Sequence, residues 1–261
     1  MQEFYKIEYS RNPLEQWNRL KTQPPVDKEG YDSLYDFCQA TSRYHFQEDQ
    51  SDLDSFDSDC PAVIPITRFS GEWLDQVTAL SEQTSPATFN SRKTTRLKNN
   101  NNWEENDFRR WGYDIDGGYT IANRLLKPSL TDDLQDIVRG FGFADPGIVK
   151  FDVQMPGQCF YWHLDNFGGV LKKHRGDYES ASSGDLDQRE VMRLVIFLDD
   201  QKQGQMWQHG NLLLNWQRGD CITWPWRDIP HGTCNYGHSP RPVINITGVV
   251  TDKTREFLSQ C

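Results

Sequence analysis

"HGTCNYGHSPRPVINITGVV", residues 231–250, is the stretch on which the fold turns. Two short runs rich in β-branched residues flank a turn signal, Gly237-His238-Ser239-Pro240. Runs of that kind, punctuated by glycine and proline, read as strands. The pattern predicts strands over 231–236 and 241–250, closed as a hairpin through "YGHSP" so that the two strands are antiparallel neighbours. With odd residues paired to odd, His231, Thr233, Arg241, Val243, Asn245 and Thr247 share one face, and Ile244 and Ile246 point the other way. Arg241 then lies deep in the protein. An arginine there calls for an anion, because an unpaired buried charge is expensive.

Outward from this stretch the same texture continues back to Pro146. Strands are predicted at "GIVKFDVQM" (147–155), "CFYWHLD" (159–165), "EVMRLVIFLDD" (190–200), "GQMWQHG" (204–210), "NLLLNW" (211–216) and "DCITWPW" (220–226). Turn signals such as Pro156-Gly157 and Arg218-Gly219-Asp220 separate them. Eight short strands in this span predict a jelly-roll, cupin-like double-stranded β-helix. The expected fold class is therefore mainly β with flanking helices, carrying an N-terminal α/β extension. Residues 1–60 read as polar and irregular, and "EDQSDLDSFDSDC" (48–60) as a solvated acidic loop. "PAVIPITRF" (61–69) predicts a strand, and "SGEWLDQVTALSEQ" (70–83) a helix with Ser70 as N-cap. "SLTDDLQDIVRGFG" (129–142) predicts a helix that Gly140 and Gly142 end. The chain is expected to be one domain over 1–261: an extension over 1–145, the β core over 146–250 and a C-terminal tail over 251–261.

Composition narrows the function classes. The 261 residues are 36% hydrophobic and 13% aromatic, enough for a sizeable core. A formal net charge of −10 makes nucleic acid and anionic membranes poor partners. The charged N-terminal sequence lacks the apolar region of a signal peptide, no apolar run approaches membrane-helix length, and six cysteines without a CxxC pair suit a reducing compartment. The expectation is a cytoplasmic protein with free thiols. The sequon at Asn245 falls in an expected buried strand and is not a glycosylation site.

Chemistry is carried by His163, Asp165 and His231. Strand alternation points His163 and Asp165 the same way, as two ligands of one ion require. His231 opens a later strand as the third candidate. Two histidines and one carboxylate on one face of a metal leave open positions and suit non-haem Fe(II) oxygen chemistry.

His163-x-Asp165, then His231, then Arg241 ten residues on, resembles the Fe(II)/2-oxoglutarate-dependent oxygenases. "MPGQCFYWHLDN", "RLVIFLDD", "NWQRGD", "PHGTCNYG" and "RPVINITG" resemble the aspartyl/asparaginyl β-hydroxylase-like and free-proline hydroxylase branch. The likeness covers 147–250, under half the chain. It implies that His163, Asp165 and His231 bind Fe(II), that Arg241 holds the distal carboxylate of 2-oxoglutarate, and that O2 is the second cosubstrate. Arg193 matches a family arginine and is expected at the cosubstrate or substrate. Many relatives carry a hydroxyl residue two positions after the arginine, where this chain has Val243. The missing carboxylate contact is assigned to Tyr161, Thr223 or Asn245, with Gln154 or Gln158 as helpers. The carboxylate at 165 favours hydroxylation over halogenation. The expected substrate is a small metabolite such as an amino acid. A peptide side chain is the alternative, and a non-catalytic cupin-like metal-binding module stands third. Residues 166–188 leave the metal-bearing end of the barrel and are expected to form a lid.

Overall fold

The computed structural model describes residues 5–22, 63–82, 124–126, 139–144, 148–154, 158–165, 190–210, 212–226 and 229–261. The expected lid, the acidic run and most of the 129–142 helix lie outside these residues. Strands are β1 (Tyr5–Lys6), β2 (Ile64–Arg68), β3 (Arg124–Leu126), β4 (Ile148–Gln154), β5 (Gln158–His163), β6 (Val191–Phe197), β7 (Gln205–His209), β8 (Leu212–Asn215), β9 (Asp220–Thr223), β10 (His231–Asn235) and β11 (Arg241–Val249). Helices are α1 (Pro13–Thr22), α2 (Glu72–Glu82) and α3 (Asp252–Gln260).

The strands form two sheets. The larger runs β2-β9-β6-β11-β4-β3 and the smaller β1-β8-β7-β10-β5. From β4 to β11 the chain passes back and forth between them. The neighbours β4-β11-β6-β9 and β5-β10-β7-β8 are the alternating order of a double-stranded β-helix. All eight core strands predicted from the sequence are present, and each pairs antiparallel with its core neighbours.

One expectation is overturned. β10 and β11 are not hairpin partners: β10 pairs with β5 and β7, while β11 pairs with β4 and β6. The connection over 236–240 carries the chain from one sheet to the other. His231 and Arg241 therefore face each other's sheets across the interior instead of lying side by side.

Strands β6, β9 and β11 of the larger sheet are buried on both faces, so they read as apolar runs with little visible alternation. Outward, Met192, Leu194, Ile196, Ile244 and Ile246 pack with Trp17 of α1, Leu74 of α2 and Leu258 of α3. Inward, Val195, Phe197, Ile222 and Val243 pack with Trp207, Trp216 and Trp224. Gly219 closes the β8–β9 turn at a φ of 86°, with its amide on the Phe197 carbonyl at 2.7 Å. An added Cβ would lie 2.0 Å from the Phe69 carbonyl oxygen, so only glycine fits.

Two helices escaped the sequence reading. In α1, Pro13 occupies the first helical turn and the Asn12 side chain accepts from the amides of Leu14 and Glu15. Residues 251–261, expected as a tail, form α3. Thr251 accepts from the amides of Lys253 and Thr254, and the Thr254 hydroxyl accepts from the Thr251 amide. Phe257 and Leu258 then turn onto the outer face of the sheet. Tyr9, Arg68 and Asp220 tie the N-terminal segment to β9: the Tyr9 hydroxyl and Arg68 Nε both donate to Asp220 Oδ1 at 2.6 Å. No described helix is long and apolar enough to cross a membrane.

Candidate metal and cosubstrate site

Strands β5 and β10 bring His163 directly opposite His231. The register between them shifts: the next pair is Thr233 with Phe160, so β5 advances three residues while β10 advances two. The extra residue on β5 is a bulge, which re-aims a strand's side chains. Its effect is that Phe160 and His163 sit together, ring centroids 4.4 Å apart, although an odd spacing would separate them on a regular strand. Asp165 lies past the end of β5. Its position comes from Arg193 of β6 rather than from strand alternation. Arg193 Nη1 donates to Asp165 Oδ1 at 2.8 Å.

Among the described residues, His163, Asp165 and His231 form one group able to hold a metal ion, with ligand atoms all within 4.8 Å of one another. Asp165 Oδ1 is 3.7 Å from His163 Nε2, and Asp165 Oδ2 is 3.7 Å from His231 Nε2. Those distances are too long for hydrogen bonds, so the atoms surround a point instead of bonding one another. The three side chains are 12%, 9% and 5% exposed for His163, Asp165 and His231.

The electrostatics favour ligand-competent forms. Burial opposes ionisation of Asp165, but Arg193 and the two imidazoles outweigh it and hold the carboxyl well below the usual carboxylate range. Burial, with His163 beside it, pushes His231 down to about 3 against the pull of Asp165, so its ring is neutral with a lone pair to give. Asp165 Oδ2 is buried and has no hydrogen-bond partner. An ionised, unsatisfied oxygen beside two imidazoles is an acceptor waiting for a cation.

Arg241 opens β11 and is buried. Its Nε and Nη2 donate to Gln154 Oε1 at 3.0 and 2.8 Å, and its guanidinium lies 4.6 Å over the Trp207 ring. Gln154 is itself pinned by donating to the Thr233 hydroxyl at 3.0 Å. Arg241 Nη1 has no partner, and no described carboxylate lies within ion-pairing distance of it. Burial lowers its pKa to about 10, so it is still charged at neutral pH. A buried cation with a free N–H is what an incoming carboxylate would satisfy.

The remaining expected contacts fall out differently. The Thr223 hydroxyl donates to the Arg193 carbonyl at 2.6 Å. The Asn245 side-chain amide donates to Asp152 on β4. Both polar groups are occupied within the sheet. Tyr161 lies on β5, and its side chain and that of Gln158 are outside the described residues. Arg193 meets the metal group through Asp165. His238 is exposed, as a loop histidine should be, while His45 and His174 lie outside the described residues. The four described cysteines, Cys159, Cys221, Cys234 and Cys261, carry free thiols.

His209 was not singled out from the sequence. It ends β7 directly opposite His231 and is 0% exposed. Its ring stacks on His231 at 5.2 Å and on Trp207 at 5.9 Å, and meets the Trp224 edge at 4.8 Å. Neither ring nitrogen has a partner. The available signal was the period-two spacing of Gln205, Trp207 and His209 along a strand next to the one bearing His231.

No family model and no curated protein matches the chain. Solved structures do. The chain is similar to a viral collagen prolyl hydroxylase from Paramecium bursaria Chlorella virus-1 in its 2OG complex, at 13% identity over 74% of this chain and 99% of that one, with a TM-score of 0.40. It is also similar to a Pseudomonas putida prolyl-4-hydroxylase, at 12% identity over 72% and 93%, TM-score 0.41. A non-heme monooxygenase in a nickel complex matches at 11% identity over 72% and 74%, TM-score 0.39. The case for this chain's chemistry rests on its own side chains.

Proposed function

We propose that this chain is an Fe(II)- and 2-oxoglutarate-dependent dioxygenase that hydroxylates an unactivated C–H bond of a small metabolite such as an amino acid. The single observation behind this reading is the pairing of two unsatisfied buried groups in one β-helix interior. Asp165 Oδ2 beside His163 and His231 suits a divalent cation, and the open Nη1 of Arg241 suits a carboxylate. Iron bound with 2-oxoglutarate and O2 would supply the oxidation, giving succinate, carbon dioxide and the hydroxylated product.

The protein's own residues do the rest. His163, Asp165 and His231 would hold the ion with three protein ligands and would leave room for further ones. Arg193 neutralises Asp165 and fixes Oδ1, which leaves Oδ2 as the oxygen aimed at the ion. Arg241, held by Gln154 and laid on Trp207, orients the distal carboxylate. The aromatic lining of Phe197, Trp207, Trp216 and Trp224 keeps the interior dry. The whole chain acts as a single oxygenase domain of the cytoplasm. The competing substrate class is a peptide side chain.

The test is to incubate the Fe(II) protein with 2-oxoglutarate and a metabolite library and to read substrate-dependent succinate. Turnover with a free amino acid or comparable metabolite is expected. Turnover only with peptides would move the substrate class to the alternative. No succinate from any pool would leave a cupin-like metal-binding module.

A further inference from the structure

We infer that His209 is a cosubstrate-binding residue that donates a ring N–H to the metal-proximal carboxylate of the bound 2-oxo acid. This inference deepens the function proposed above and rests on it.

A buried polar atom without a partner is unusual and costs stability, so each one needs an explanation. Here several belong to side chains that touch in one continuous line. Arg241 Nη1, Trp207 Nε1, both nitrogens of His209, Trp224 Nε1 and Asp165 Oδ2 are all buried and unsatisfied. Arg241 lies on Trp207, Trp207 stacks on His209, His209 stacks on His231 and meets Trp224, and His231 flanks Asp165. At the Asp165 end the orphan is an anionic acceptor, which suits a cation. The indole nitrogens and Arg241 Nη1 can only donate, and a neutral imidazole donates from one nitrogen. A row of donors leading up to a cation site describes the seat of an extended anion whose near end reaches the cation.

The position of His209 along that row decides which end of the anion it meets. Among the described residues, a line of ring contacts leads from Arg241 to the metal group through Trp207 and His209. A residue and its second neighbour on a strand are separated by roughly 6.5–7 Å. Trp207 thus underlies the distal carboxylate that Arg241 holds, and His209 lies one step nearer the ion, opposite His231. A five-carbon 2-oxo dicarboxylate stretched between Arg241 and the ion would bring its oxo-acid end past His209. Two other polar side chains of the interior are already engaged, Thr223 with the Arg193 carbonyl and Asn245 with Asp152.

The experiment uses the full chain loaded with Mn(II) in place of iron, so binding is read without turnover. Dissociation constants for 2-oxoglutarate and for 2-oxobutanoate, which lacks the distal carboxylate, are measured by calorimetry on the parent, His209→Phe, His209→Gln and Arg241→Met. His209→Phe is expected to weaken both ligands about tenfold or more, the loss of a hydrogen bond to a charged acceptor. His209→Gln, which restores a donor, should recover most of that loss. Arg241→Met should weaken 2-oxoglutarate and leave 2-oxobutanoate unchanged. Because phenylalanine removes two unsatisfied nitrogens, ligand-free His209→Phe should melt no lower than the parent. A merely structural histidine predicts the reverse, a lower melting temperature with unchanged affinity in whatever folds. Parent-like affinity for both ligands in His209→Phe would overturn the role of His209 while leaving the proposed function standing. Failure of the Mn(II)-loaded parent to bind 2-oxoglutarate would overturn both.

Discussion

Strand β11 separates two regions of the molecule that are equally buried and chemically opposite. Its outer face presents Ile244 and Ile246 to the helices, each 0% exposed. Its inner face presents Arg241, Asn245 and Thr247, each at most 5% exposed. Burying an isoleucine stabilises the fold by about 1.5–3 kcal/mol. Burying a guanidinium with no carboxylate beside it does the opposite. The helix-covered outer face is where the fold gains its stability. The inner face gives some of that up, and the atoms it leaves unsatisfied are those a metal ion and a dicarboxylate would satisfy.

Substitutions on the two faces should therefore separate function from stability. The largest effect is expected from Asp165→Ala, which should abolish substrate-dependent succinate formation and iron retention. Full turnover in that variant would remove Asp165 from the metal group. On the outer face, Ile246→Ala should cost about 2–5 kcal/mol in denaturant unfolding and leave 2-oxoglutarate affinity within twofold. A large affinity loss there would show that the two faces are not independent. Arg241→Met should do the converse, weakening 2-oxoglutarate binding by roughly tenfold to a hundredfold while the ligand-free protein melts no lower than the parent. The smallest effect is expected far from the site. Tyr9→Phe deletes one hydrogen bond to Asp220 and should cost about 1 kcal/mol of stability with no change in turnover.

The legible part of this molecule was local. Turn residues bounding short β-branched runs marked the eight core strands, because each such signal sits within a few residues of the strand it ends. His163, Asp165 and His231 were legible as residue types that one metal would take. What stayed hidden depends on contacts distant in sequence. The "YGHSP" connection looks like a hairpin turn, and only the competing partners of β10 and β11 show that it crosses between sheets. The β5 bulge is visible only from the register against β10. Arg193 reaches Asp165 across 28 residues that no local pattern links. His209 carried no motif at all, since its meaning comes from standing opposite His231 with nothing to bond. Helices α1 and α3 carry caps at Asn12-Pro13 and Thr251, short local signals in segments otherwise rich in polar residues.

The central claim is that the inner face holds Fe(II) and 2-oxoglutarate together. The most direct measurement is an anaerobic titration of the Fe(II)-loaded protein with 2-oxoglutarate, followed by visible absorption. A weak charge-transfer band saturating at one equivalent is predicted for the parent and should be absent in Asp165→Ala. A parent that binds iron but develops no band at any 2-oxoglutarate concentration would contradict it.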